Sequence, residues 1–206
     1  MKKELILIIG SGGREHAIGK HITTTHSDAQ LFFLPGNGGT RTVGTNVPIK
    51  ADDVSCIVQW AKKNQPTLVL VGPETPLAAG LVNRLVKNGF FVFGPTKEAA
   101  KIESSKVFAK HFMKKYGIPT AEFKTFTSYQ KAKQYIQSVP FDVVVKASGL
   151  AGGKGVIVPI DKNEALVALD RMMNKREFGA AGDEVVIEEL MSGEEVSLMA
   201  FTDGVT

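Results

Sequence analysis

Cysteine is almost missing from this 206-residue chain, with Cys56 the only one. No disulfide can close within it, and a reducing compartment is expected. Long hydrophobic runs are missing too, and none approaches the length of a membrane span. The N-terminal run Leu5 to Ile9 is too short for the hydrophobic region of a secretory signal, and glycines follow where a cleavage site would stand. The four histidines show no metal-ligand spacing, and no aromatic-basic motif of a nucleic-acid reader is present. There is no internal repeat and no low-complexity linker. These gaps argue against a secreted disulfide scaffold, a membrane protein and a nucleic-acid partner. They leave a cytoplasmic globular chain as the expectation. Hydrophobic residues at 43% and charged residues at 22% are ordinary for one.

What the chain does have is glycine, 21 residues of it, gathered in turns. Its first half alternates strand and helix signals. Leu5 to Ile9 reads as a buried strand, and Gly10-Ser11-Gly12-Gly13 turns it into a helix from about Arg14. Leu31 to Leu34 is a second strand, stopped by Pro35-Gly36-Asn37-Gly38-Gly39. A helix capped by Asp52 or Asp53 follows, with Ile57, Trp60 and Ala61 on one face. Leu68 to Val71 is a strand ending at Gly72-Pro73-Glu74. Leu77 to Lys87 reads as one helix, and Phe90 to Phe93 as a strand ended by Gly94-Pro95. Repeated βα units predict a Rossmann-like parallel sheet with helices on both faces and ligands beyond the strand C-terminal ends. All four glycine-rich turns fall there.

The pattern changes near Glu103, where a boundary is expected between a domain of residues 1–103 and a second unit, 104–206. A helix from Ser105 to Tyr116, a strand near Phe123, a helix from Ser128 to Val139 and a hairpin over Val143 to Val158 come first. A helix from Asn163 to Met173 and strands Val185 to Glu189 and Val196 to Thr202 complete an α+β unit. Gly204-Val205-Thr206 resembles a turn into a further strand, which suggests the front part of a longer polypeptide. Nine lysines lie between Lys97 and Lys133. Lys106, Lys110 and Lys114 are expected to form a solvated ridge, with Phe108, Phe112 and Tyr116 as the buried stripe behind it.

Function is concentrated in Val143 to Val158, reading VVVKASGLAGGKGVIV. Gly149, Gly152, Gly153 and Gly155 form the loop of a hairpin, with Lys146 at the end of its first strand and Lys154 among the glycines. Glycine lets backbone N–H groups approach a ligand, and two ammonium groups there suit a polyanion such as a nucleotide's phosphates. The spacing is not that of a Walker A loop: Ser148 stands at its first glycine position, and Gly155 at its Ser/Thr position. A mobile flap and a plain glycine hairpin both remain open readings. Lys146 ends a run expected to be buried, so it either takes an anion, from a carboxylate or a ligand, or snorkels to the surface. The segment from Glu188 to Met191 reads either as a strand offering backbone groups to an adenine edge or as an edge strand with solvated acids. The turn at Gly10 to Gly13 breaks the dinucleotide fingerprint, because Glu15 stands at its third glycine and no acid ends the second strand. Its helix N-terminus could still hold an anion, aided by Arg14.

Taken together, GSGGREH (10–16), PGNGGT (35–40), GPETPLAAG (72–80), FGPT (93–96), ESSKVFAK (103–110), GIPTAEF (117–123), KASGLAGGKGVIV (146–158), FGAAG (178–182) and VIEELMSGEEVS (186–197) resemble the phosphoribosylamine–glycine ligases in order and spacing. These glycinamide ribonucleotide synthetases are ATP-grasp enzymes of purine synthesis. KASGL and FTDG look closest to the animal form, where the ligase begins a multifunctional polypeptide. Gly152 departs from the family's usual alanine. The resemblance implies a pre-ATP-grasp domain followed by an incomplete ATP-grasp domain whose mobile lid spans about 124–190. It also implies ATP-dependent joining of glycine to 5-phosphoribosylamine through glycyl phosphate. Lys146 and Lys154 would be the catalytic cations, Lys106 and Lys146 would contact phosphates, and Ser148 to Gly155 would be the flap. Glu188, Glu189, Leu190 and Met191 would hold adenine, and Glu195 the ribose. Gly12, Gly13, Asn37 and Glu74 would form the phosphoribosylamine side. Mg²⁺ would be held by acids beyond Thr206, so this chain is expected to be inactive alone, and further purine-synthesis domains would be fused downstream. Two other readings stay open, a different ATP-grasp ligase and a non-catalytic nucleotide-binding module. An NAD dehydrogenase fits least.

Overall fold

In the computed structural model, residues 4–200 are described. Five parallel strands form the first sheet: β1 (Leu5–Gly10), β2 (Gln30–Pro35), β3 (Thr45–Asn46), β4 (Leu68–Val71) and β5 (Val92–Phe93). Their order is β3-β2-β1-β4-β5, with β1 central and paired to β2 and β4. The apolar run of β1 is buried from Ile6 to Gly10, as a strand covered on both faces requires. On one face, Leu7, Ile9, Val69 and Val71 pack against Ile57 and Ala61 of α2 (Val54–Asn64), together with Leu81 and Leu85 of α4 (Leu81–Lys87). On the other, Ile6, Ile8, Leu31 and Phe33 meet Ile22 of α1 (Gly13–Thr25). Asp53 caps α2 by accepting from the Cys56 amide at 3.0 Å.

Three expectations for this half change. The helix read from Leu77 to Lys87 is two, α3 (Glu74–Ala78) and α4, parted where Gly80 takes φ +84°. That left-handed turn is natural only to glycine, yet Leu77, Leu81 and Leu85 stay buried, so the apolar spacing survives the break. The fifth strand contains only Val92 and Phe93, and Phe91 is exposed. The short β3 carries no apolar signal and has no counterpart in the sequence reading.

Four antiparallel strands make the second sheet: β6 (Phe123–Phe126), β7 (Val143–Ala147), β8 (Val156–Ile157) and β9 (Val185–Glu189), ordered β6-β9-β7-β8. Val143, Val145, Ala147, Val185 and Ile187 pack on α7 (Tyr129–Ser138) and α8 (Lys162–Met173). Alternation sends Val144, Lys146, Val186 and Glu188 to the opposite face. There α6 (Lys106–Tyr116) approaches, so this sheet has helices on both faces. A short α5 (Lys101–Ser104), absent from the sequence reading, precedes it.

The lysine ridge is the main correction. In α6 the buried residue is Ala109, the Lys110 side chain is only 13% exposed, and Phe108 and Tyr116 face solvent. Lys110 turns inward to meet the buried Glu188 carboxylate, and of the expected aromatic stripe only Phe112 is half-buried. Val196 to Ala200, the described part of the last expected strand, forms no strand; Thr202 and the turn at Gly204 to Thr206 lie outside the described residues.

Candidate functional site

The root of the glycine loop is fastened to the start of α6. Ser105 caps that helix by accepting from the Phe108 amide at 3.2 Å. Ser148, just past β7, reaches the same turn. Its carbonyl accepts from the Lys106 amide at 2.8 Å, and its hydroxyl from the Val107 amide at 3.3 Å. Two N–H groups that a helix start leaves without intrahelical partners are thus satisfied by the flap strand. This fixes Lys106 beside the loop. On the other side of the root, the Ala147 amide donates to Gly155 at 2.8 Å, closing the hairpin. Between these ties the loop turns through Gly152 (φ +57°) and Gly153 (φ +78°), where a side-chain carbon would meet nothing within 4 Å.

A cavity of about 470 Å³ opens between the two sheets. Lys106 lines it from the second unit, Glu74, Thr75 and Glu103 from the first, and Leu150 to Gly153 with Gly155 from the loop. Lys146 is placed just behind, half-buried on β7. The carboxylate its burial calls for is present: Glu188, a diagonal neighbour across β7 and β9, forms an ion pair with it. The Glu188 side chain is 6% exposed and pairs with Lys110 as well. Burial, then the nearby Lys110 and Lys106 charges, push the Lys146 ammonium below its ordinary range.

The remaining expected residues divide. Lys154 is exposed, its amide donates to Ala151 at 3.0 Å, and it does not line the cavity. The Glu189 and Leu190 amides already donate to Glu122 and Asp142, both at 2.8 Å, while Met191 and Glu195 stand exposed beyond the last strand pair. At the first sheet's C-terminal edge, Asn37 ties two glycine turns together. Its Nδ2 donates to Ser11 at 2.8 Å, and its Oδ1 accepts from the Gly39 and Thr40 amides at 2.7 and 3.0 Å. Glu74 accepts from Arg14 at 3.0 Å. The Gly12 amide is not open to an anion, because it donates to Glu15 Oε2 at 2.6 Å. Glu15, 3% exposed, lies over Gly10 and Gly12 and fills the turn from within.

Two residues escape the sequence reading. Lys110 reads as part of a solvated ridge, although its i+4 spacing from Lys106 puts both on one side of α6. Glu15 reads only as a broken fingerprint. Among the described residues, no group of three or more His, Cys, Asp or Glu comes together to hold a metal, and no helix is long and apolar enough to cross a membrane.

Comparison with known proteins agrees with this architecture. Residues 4–103 match the family model for the phosphoribosylglycinamide synthetase N domain, and residues 104–206 the one for its ATP-grasp (A) domain. Phosphoribosylamine–glycine ligase of Chlorobaculum tepidum is 49% identical over 97% of the chain and 48% of its own length. Human trifunctional purine biosynthetic protein adenosine-3 is 50% identical over 98% of the chain and 20% of its own length. The crystal structure of phosphoribosylamine–glycine ligase from Thermotoga maritima aligns with a TM-score of 0.75 at 34% identity, covering 92% of this chain and 44% of that one. The chain therefore spans about half the length of the single-function relatives it matches.

Proposed function

Since this chain belongs to the phosphoribosylglycinamide synthetase family, we propose that it supplies the N-terminal half of the machinery that joins glycine to 5-phosphoribosylamine at the expense of ATP. The supporting observation is the cavity between the sheets, where a cationic helix start, a glycine loop and the edge of the parallel sheet converge. Its donors suit a polyphosphate: Lys106 lines it, Lys146 is close behind, and the loop backbone is bare at Gly152 and Gly153, where a ligand can approach the peptide.

Written as substrates, ATP gives its γ-phosphoryl group to a carboxylate oxygen of glycine, releasing ADP. The amine of 5-phosphoribosylamine then attacks the acyl carbon and displaces phosphate, forming glycinamide ribonucleotide. In this reading Lys106 and Lys146 neutralise the phosphoryl oxygens, and the loop from Ser148 to Gly155, carrying Lys154, closes over them and excludes water. Residues 104–206 form the start of the ATP-grasp domain, with 124–190 as its mobile lid, and residues 1–103 the substrate domain. Adenine lies along Glu188 to Met191 and the ribose near Glu195. Gly13, Asn37 and Glu74 shape the edge for 5-phosphoribosylamine, with Gly12 holding the turn. Mg²⁺ would supply charge neutralisation in such transfers, but the described residues do not fit a metal site. A cytoplasmic protein, fused like the human relative to further purine-synthesis domains, completes the proposal.

Calorimetry tests the binding half. The 206-residue chain is expected to bind ATP, and Lys106→Ala and Lys146→Ala each to weaken it by about tenfold or more. No heat of binding would refute the reading. The chemistry is tested in a polypeptide continued through the relatives' length: glycine with 5-phosphoribosylamine should stimulate phosphate release, and a preference for another acid or amine would reassign the substrate.

A further inference from the structure

The charge cluster behind the cavity holds one cation more than phosphate binding uses. Glu188 is paired with both Lys110 and Lys146, and the two lysines are held differently. The Lys110 ammonium also donates to Thr120 Oγ1 at 2.6 Å and stands 5.6 Å from the centre of the Phe123 ring. Its side chain is 13% exposed and lines no part of the cavity. Lys146, at 25%, is close in sequence to Gly149, at the root of the loop. One lysine is anchored by Glu188, Thr120 and Phe123; the other, itself outside the cavity lining, is paired across the hairpin with Val156, which lines the cavity.

We propose that Lys110 is a positioning residue that keeps the buried Glu188 charge compensated, so that Lys146 can leave that carboxylate for the phosphates of a bound nucleotide. The inference rests on the nucleotide reading above. Without Lys110, moving Lys146 would strand a buried carboxylate with no counter-ion, which is far more costly than exchanging one ion pair for another. With Lys110 present, Glu188 is neutralised before and after the move. Helix α6 thus divides its labour, Lys106 at the cavity wall and Lys110 one turn further on the sheet. Burial and neighbouring positive charge already disfavour the Lys146 cation, so it gains from meeting a polyphosphate.

The test compares the 206-residue chain with its Lys110→Met variant, reading ATP and adenosine affinities by calorimetry and Lys146 Nζ titration by NMR without ligand. The variant should bind ATP about tenfold more weakly and adenosine unchanged. Its Lys146 midpoint should rise, because Glu188 then faces Lys146 alone. Lys110→Arg should restore ATP binding. Lys110→Met combined with Glu188→Gln should restore the ATP-to-adenosine affinity ratio of the unmodified chain to within about threefold, since no carboxylate then retains Lys146 and adenosine reports any separate loss along the adenine segment. That double variant decides the matter if Lys110→Met alone fails to fold, and a tenfold fall of the ratio in it would overturn the proposal. An unmoved Lys146 midpoint, or ATP and adenosine weakening together, would overturn it as well. If the unmodified chain binds neither compound, the nucleotide reading itself fails, whereas binding with an unchanged ATP-to-adenosine ratio in Lys110→Met removes only the role of Lys110.

Discussion

Glu74 opens α3 at the seam between the two sheets, and its carboxyl is held below its ordinary value near 4.5. The larger cause is its own backbone amide at the helix start, followed by the hydrogen bond from Arg14. The sign of the effect on stability follows. A carboxyl whose pKa is lower in the folded state stabilises the fold above its unfolded value, and that contribution disappears as pH falls through the folded value. Both side chains are well exposed, at 69% and 41%, so solvent screening keeps the effect below about 1 kcal/mol. Urea titrations of the protein and of Glu74→Gln should show a small difference at neutral pH that shrinks as pH falls below the ordinary value near 4.5 and is gone below the folded value. A difference constant across that window would remove Glu74 from the account. At this scale the sequence reveals cations better than their partners. Lys146 stands out because a buried strand cannot carry an unpaired charge, but Glu188 and Lys110 are its neighbours only through sheet register and helix placement.

Among elements, the strands and helices with strong periodicity are legible from residues alone. β1, β4, β7 and β9 are short apolar runs bounded by glycine or charge; α2 starts after Asp53, one of the two caps read for it, α6 starts after Ser105, and α8 starts at Lys162, one residue before the expected Asn163. What fails has a common physical cause. Spacing of leucines cannot report a backbone break that leaves them all buried, which hides the turn at Gly80. Amphipathic pattern cannot say which face of α6 turns inward when the sheet offers a carboxylate, and the aromatic face loses. Gly80→Ala tests the first point: forcing a side chain into φ +84° should cost about 1 kcal/mol in thermal unfolding, with the fold retained. A neutral result would mean that α3 and α4 can merge into the single helix that the leucines suggest.

For the whole molecule, the two sheets have separate apolar cores, and the cavity is lined by residues of both units. A ligand bound there touches both units at once and stabilises whatever arrangement holds them together. ATP at a hundredfold its Kd should therefore raise the unfolding free energy by about 2.7 kcal/mol, measured as a concentration-dependent rise in melting temperature. Inorganic phosphate at equal concentration should do much less. A melting temperature unmoved by saturating ATP would mean that the folded chain does not bind it.

Glu15 gives the molecule two glycine loops of opposite character. The one after β1 brings its own carboxylate, tucked over Gly10 and Gly12, so an arriving diphosphate finds its seat taken. The one after β7 ends in bare peptide with cations alongside. A chain that invites comparison with dinucleotide carriers at its first turn has closed that door with a side chain, and its welcome to polyphosphate lies far downstream.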